Sequence, residues 1–357
     1  MKRVLLGLLG AVLVLLLIAF FFRTTIALRL MERVVATNLS SDWVSELPDG
    51  LHVVLCGAGS PLPDLKRSGP CVAVIAGQQV FVVDAGSGAS RRLSELRVPQ
   101  GRIEAILLTH FHSDHIDGLG ELLMQRWVNR AAKTPVPVHG PTGVGEVVDG
   151  INRAYRLDST YRVAHHGEAI VPPSGAGGAA HPFPAPAEGR GEVVIDEGGV
   201  KVTAFRVDHE PVEPAIGYRF DYRERSLVLS GDTVKSANLQ RFADGVDLLV
   251  HEALAPHLVA VLTRGAEEAG RDRIAKITRD ILDYHATPVE AAEVARDAGV
   301  GFLLYYHIVP PLPIAPLENA FLEGVDTVYE GPLAVGRDGT TVHLPVGSDA
   351  ITVEQRL

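Results

Sequence analysis

The chain is 357 residues long, with 46% hydrophobic and 21% charged residues, enough to bury a sizeable core in one large or two ordinary domains. Its formal net charge of −10 argues against the broad positive surface that nucleic-acid binding needs. Two cysteines, Cys56 and Cys71, are too few for a disulfide scaffold. They read as buried free thiols, although adjacent strands would let them pair in an oxidising compartment.

Met1-Lys2-Arg3 precede an unbroken apolar stretch from Val4 to Phe22, closed by Arg23. Spanning the hydrocarbon core takes about 20 apolar residues, whereas a secretory-signal core is shorter. Residues 1–23 are therefore read as a signal-anchor or transmembrane segment that contacts the membrane through residues 4–22. A weak cleavage pattern at Thr25-Ile26-Ala27 leaves a secreted form as the alternative. Lys2 and Arg3 before the span nearly balance Arg23, Arg29 and Arg33 after it. The likeness to a secretory signal favours an inner-membrane anchor with the following domain on the periplasmic or extracytoplasmic side. Residues 24–50 read as a linker ending at Pro48-Asp49-Gly50.

Beyond it, strand-like runs alternate with helical ones. The strands are predicted at 51–56, 71–76, 80–84, 103–109, 200–207, 215–222, 226–230, 247–251 and 301–307. Helices are predicted at 116–133, 143–155, 254–265 and 288–298. The last starts from Thr287 as N-cap, Pro288 in the first position and Glu290 completing a capping box. Pro172 to Gly191, rich in Pro, Gly and Ala, has too few large apolar side chains to pack and is read as a long surface loop. The alternation implies a layered α/β domain.

The strongest chemical signal is Thr109-His110-Phe111-His112-Ser113-Asp114-His115, directly after the apolar run ending at Leu108. Neutral imidazole is the commonest metal ligand, and Asp adds a hard oxygen donor suited to zinc or manganese. Three imidazoles and a carboxylate so close together point to a site for two ions. Further ligands should then stand at other strand ends, where a rigid sheet holds a side chain beside an open loop. His209, Asp232 and His307 all occupy such positions.

Together these residues resemble the metallo-β-lactamase superfamily, and within it the ribonuclease Z branch with its zinc-dependent arylsulfatase and phosphodiesterase relatives. Cys56-Gly57-Ala58-Gly59-Ser60-Pro61, Arg67-Ser68-Gly69-Pro70, Asp84-Ala85-Gly86, Gly217-Tyr218-Arg219, Gly231-Asp232-Thr233, His251-Glu252-Ala253 and His285-Ala286-Thr287 carry the likeness. It covers residues 51–345 and leaves 346–357 as a tail. The implied fold is a four-layer αββα sandwich. The implied ligand sets are His110, His112 and His209 for one zinc, and Asp114, His115 and His307 for the other, with Asp232 between them. Asp84 would orient ligands by hydrogen bonds. Asp114 would orient the nucleophile or take its proton, and His285 would assist the leaving group.

The implied activity is metal-dependent hydrolysis by a hydroxide bridging two Zn2+ ions, or Mn2+ in their place. The bridging carboxylate Asp232 favours a phosphodiester or aryl sulfate ester over a β-lactam. Alternatives are a lactonase or other carboxyl-ester hydrolase, a ribonuclease Z-type tRNA 3′-processing endonuclease, and a non-catalytic binding protein. Ribonuclease Z enzymes commonly carry a tRNA-binding arm between the Gly-Tyr-Arg strand and the Gly-Asp-Thr turn, and here only Phe220 to Ser230 separate the two. With the acidic balance and the apolar N-terminus, this leads to the expectation of a small anionic ester as substrate and no nucleic acid. The fold often dimerises, which makes a homodimer a candidate assembly.

Overall fold

The computed structural model describes residues 2–40 and 42–357, and the chain divides into two units between Trp43 and Val44. In the first unit, helix Lys2–Phe21 is followed by helix Arg23–Ser40. Its segment Arg3–Phe21, 19 residues, is long and apolar enough to cross a membrane by length and composition, and it is wholly unburied.

The second unit begins with six strands: β1 (Gly50–Gly57), β2 (Cys71–Ala76), β3 (Gln79–Val83), β4 (Ile103–Leu107), β5 (Val136–Pro141) and β6 (Gly178–Phe183). The next seven form a second sheet: β7 (Gly191–Glu197), β8 (Val200–Arg206), β9 (Ile216–Tyr222), β10 (Arg225–Leu229), β11 (Leu248–Leu254), β12 (Phe302–Val309) and β13 (Leu333–Val335). The chain then returns to the first sheet with β14 (Thr340–Pro345) and β15 (Thr352–Gln355). The first sheet runs β15-β14-β1-β2-β3-β4-β5-β6 and the second β13-β12-β11-β10-β9-β8-β7.

Alternation along the strands explains why the sheets face each other. Leu51, Val53 and Leu55 of β1, Val72 and Val74 of β2, and Phe81 and Val83 of β3 meet Val202, Ala204, Phe220, Leu227 and Val250 of the second sheet in one buried cluster. Phe81 and Phe220 touch across it with ring centroids 6.0 Å apart. The opposite faces of central strands are buried too. Phe205, Val228, Leu249 and Leu303 pack against Ala291, Ala292 and Ala295 of helix Pro288–Asp297. Burial on both faces is why these strands read as continuous apolar runs. The helix starts as its sequence predicts, with Thr287 capping Glu290 N and Glu290 returning a bond to Thr287 N.

Three expectations need correction. Cys56 and Cys71 form a disulfide, because the antiparallel register of β1 and β2 brings their Cα atoms to 4.9 Å. Part of the presumed loop 172–191 is β6, paired in parallel with β5 from Val136↔Gly178 to Pro141↔Phe183. An edge strand needs few large side chains and tolerates Pro182, so composition concealed it. Within 346–357, β15 pairs with β14 from Thr340↔Gln355 to His343↔Thr352, so Thr352–Gln355 is an edge strand of the first sheet.

Candidate metal centre

All but one of the candidate ligands stand where a strand ends. Asp84 follows β3, and His110 and His112 lie between β4 and the short helix Ser113–Ile116, which carries Asp114 and His115. His209 follows β8 and Asp232 follows β10. His307 arrives differently. Glu252 of β11 pairs with Tyr306 and Ala253 with Ile308, so His307 is the extra residue of a bulge, with φ +46°. A bulge re-aims a side chain that a regular strand would leave in the sheet, at a backbone cost that is characteristic of functional positions.

All of these residues except the half-buried His112 are buried, and all converge. Asp232 Oδ2 lies 3.4 Å from His115 Nε2, 3.4 Å from His307 Nε2, 3.8 Å from His209 Nε2 and 3.9 Å from His110 Nε2. On one side, His112 Nδ1 is 3.0 Å from His110 Nε2 and 3.5 Å from His209 Nε2. On the other, Asp114 Oδ2 is 3.3 Å from His307 Nε2 and 3.6 Å from His115 Nε2. His110, His112, His209 and Asp232 could thus hold one ion, and Asp114, His115 and His307 another, with ligand atoms in each group within 4.8 Å of one another.

Hydrogen bonds behind the cluster aim its nitrogens inward. His209 Nδ1 donates to the Tyr284 carbonyl at 2.8 Å, and His115 Nδ1 to Asp84 Oδ2 at 2.8 Å, which leaves both Nε2 atoms facing the centre. Asp84 also accepts from Thr109 N and Thr109 Oγ1, both at 2.8 Å. The Nε2 of His115 and the Oδ1 of Asp232 are buried without a hydrogen-bond partner. Such orphans are costly in a finished core and fit a site built to receive cations.

The electrostatics agree. Burial holds His110 well below the ordinary histidine value and lowers His112 and His209 in the same direction, which keeps them neutral and able to coordinate. Burial also opposes a proton on His115, but the Asp232 and Asp84 carboxylates overcome it and raise this ring well above the usual range. Burial works against charge on Asp232 as well, yet His307 and His115 hold it well below the usual carboxylate value. The carboxylates that trap a proton here would attract a metal cation by the same field.

His285 stands at the rim, its ring 5.5 Å from that of His307. Glu252, which the sequence marks only within the His251-Glu252-Ala253 likeness and without a role, acquires one here. Its Oε1 accepts from His285 Nδ1 at 3.0 Å, from Ala286 N at 3.1 Å and from Thr233 N at 3.2 Å. The signal was a carboxylate inside the fully buried strand β11, in His251-Glu252-Ala253, where an unpaired charge would not be tolerated. The site opens into a cavity of about 320 Å³ lined by Ser60, Leu62, Asp114, Ile277, Tyr284 and His285, among others. A larger groove of about 530 Å³ along helix Val144–His166 includes none of these side chains.

The family model for the beta-lactamase superfamily domain matches residues 79–308. A protein named Ribonuclease Z from Mycolicibacterium gilvum is 40% identical over 267 residues, covering 73% of this chain and 85% of that protein. The chain belongs to the beta-lactamase superfamily, in its ribonuclease Z branch. A metallo-beta-lactamase fold protein from Bacillus subtilis superposes with a TM-score of 0.59 at 20% identity, over 83% of this chain and 100% of that one. The short form of human tRNase Z superposes with a TM-score of 0.57 at 22% identity, again over 83% and 100%. These two support the fold, an α/β metallo-β-lactamase architecture with two sheets, and the branch identifies a metal-dependent hydrolase.

The relatives overturn one expectation. The expectation that the substrate is no nucleic acid conflicts with the ribonuclease name shared by relatives that align over most of their length. One missing insertion and a whole-chain charge do not decide the substrate. β9 and β10 are indeed joined by Arg223 and Glu224 alone. Neither that turn nor the net charge touches the residues that would act on a phosphodiester.

Proposed function

We propose that this chain is a metal-dependent phosphodiesterase acting on RNA, of the ribonuclease Z kind, with zinc at two positions that share Asp232. The observation that carries the reading is the placement of one carboxylate oxygen, Asp232 Oδ2, within 3.9 Å of four imidazole nitrogens contributed by three separate segments. A phosphodiester is preferred to an aryl sulfate or a lactone because the relatives are named as ribonucleases.

Zinc held there would supply Lewis acidity and lower the pKa of water at the site. The chain's own residues supply the rest. Asp114, beside His307 and His115, takes the proton released as a water oxygen bonds to phosphorus. As the bond from phosphorus to the leaving nucleoside oxygen breaks, His285 gives that oxygen a proton, and Glu252 keeps the imidazole charged and oriented until then. The apolar wall of Leu62, Ile277 and Val309 limits water around the reacting phosphate.

The test uses the full-length, zinc-loaded chain with a precursor tRNA bearing a 3′ trailer, beside bis-aryl phosphate, aryl sulfate and homoserine lactone. Cleavage of the RNA to discrete products supports the reading. Turnover of lactone or sulfate with intact RNA would replace it.

For location, we propose that Arg3–Phe21 anchors the domain with the site outside the cytoplasm, where it would meet RNA other than a cytoplasmic tRNA precursor. The apolar helix and the Cys56–Cys71 disulfide support this, since disulfides persist in oxidising compartments. A phosphatase reporter fused to the C-terminus should be active. An inactive phosphatase fusion with an active cytoplasmic reporter at the same point would reverse the orientation.

A further inference from the structure

Tyr284 lines the cavity of the metal centre together with Asp114, Asp232, His285 and His307. Its carbonyl is committed, accepting from His209 Nδ1 at 2.8 Å. Its ring packs on two imidazoles, with centroids 4.8 Å from His209 at 81° and 4.7 Å from His285 at 45°. His209 is buried and Tyr284 only half-buried, so the tyrosine ring covers that ligand on the side of the open cavity. A tyrosine hydroxyl normally finds a partner when its ring is packed away. Among the described residues this one has none, and the atom is not among the polar atoms sealed from solvent. It is an accessible donor that the fold does not use. Burial raises the pKa of the phenol, and the charges of Asp232 and Asp114 raise it further, ahead of Asp283 and Asp280 in its own segment. The hydroxyl therefore keeps its proton and stands within range of the carboxylates at the centre.

The segment that carries Tyr284 is fastened on both sides. After it, His285 Nδ1 and Ala286 N donate to Glu252 Oε1 at 3.0 and 3.1 Å, and the Ala286 carbonyl accepts from Leu254 N at 2.8 Å. Before it, Thr278 of helix Asp272–Asp280 is tied to Thr263 of the neighbouring helix by a 2.9 Å bond between their hydroxyls. A donor on a backbone held at both ends needs little reorganisation when substrate arrives.

We infer that Tyr284 is a substrate-binding residue whose phenol donates a hydrogen bond to a non-bridging oxygen of the phosphodiester in the cavity shared with Asp114 and His285. The inference rests on the phosphodiesterase reading above and adds to it a contact made by neither the ligand residues nor the His285–Glu252 pair. Phenylalanine removes only the hydroxyl, leaving the ring on His209 and the carbonyl that holds it. Leucine removes the ring as well and leaves the carbonyl. A role in binding substrate and a role in packing the ligand therefore predict different results for the two variants.

The experiment compares full-length, zinc-loaded wild type with Tyr284→Phe and Tyr284→Leu. It measures kcat and KM on bis(p-nitrophenyl) phosphate, calorimetric binding of inorganic phosphate, bound zinc, and Tm. The expected result for Tyr284→Phe is a fall in kcat/KM of roughly 10- to 100-fold, the size of a lost hydrogen bond to a charged oxygen. Phosphate binding should weaken, with zinc content and Tm unchanged. A fall of less than threefold in Tyr284→Phe overturns the assignment. So does a fall that appears only in Tyr284→Leu, or one that tracks a loss of zinc, since either would make the ring a packing element. Should wild type turn over no phosphodiester, the phosphodiesterase reading fails by itself. Phosphate binding then judges Tyr284, and equal affinity in wild type and Tyr284→Phe, or no binding by either, overturns the contact.

Discussion

Glu252 Oε1 lies 3.0 Å from His285 Nδ1, a contact between buried strand β11 and the loop that leads into helix Pro288–Asp297. Burial alone would strip the proton from His285, but the charge and hydrogen bond of Glu252 hold it up to about 9. Because this folded-state value exceeds the ordinary 6.5, the folded chain binds the proton more tightly than the unfolded one. The stabilisation is complete below about pH 6.5 and is lost as pH rises towards 9.

In the chelated protein, where no cation competes with that proton, Tm should therefore fall between pH 6.5 and 9. Glu252→Gln should flatten the fall in that window. His115 contributes in the same sense, but equally in both proteins. Equal slopes for wild type and variant would remove Glu252 from its assigned role.

Asp84 offers a sharper test of ligand orientation. Asparagine keeps the size of the side chain but presents either an N–H or a single acceptor to His115 Nδ1 and the Thr109 donors together. With an N–H facing it, His115 must carry its hydrogen on Nε2, the nitrogen needed for a metal. Asp84→Asn should weaken metal retention about 10- to 100-fold, read by competition with a chelator of known affinity. Undiminished retention would mean that Asp84 does not set the tautomer.

The Cys56–Cys71 link joins positions 15 apart in sequence. A cross-link over such a loop stabilises by about 3 kcal/mol through the unfolded chain. The Cys56→Ala/Cys71→Ala double variant should lose about 2–4 kcal/mol in urea unfolding. The denatured, unreduced wild type should titrate no thiol.

Phe220 is fully buried and meets Phe81 in the layer between the sheets. Phe220→Ala should cost about 3–5 kcal/mol, measured from the shift in urea midpoint. A cost below about 1 kcal/mol would show that the two sheets do not pack at native density there.

How much of this was legible beforehand depended on how far each feature reaches along the chain. His110, His112, Asp114 and His115 fall within one short run, His209 and Asp232 each follow an apolar strand, and His307 comes directly after the apolar run 302–306, so local pattern sufficed to single them out. That His307 enters through a bulge was not legible, because the extra residue exists only in the pairing of β12 with β11. The partnership of Glu252 with His285 joins residues 33 apart and leaves no periodic trace. The disulfide depended on strand register, and β6 hid behind small residues and proline. Features set by pairing between distant segments were the ones missed.

The central claim, that seven residues form a two-ion centre bridged by Asp232, is tested most directly by metal analysis of the purified full-length chain. Wild type should carry about two zinc ions per chain, and Asp232→Ala at most one, with phosphodiester hydrolysis abolished. Fewer than one ion in zinc-supplemented wild type, or two ions retained by Asp232→Ala, would contradict the account.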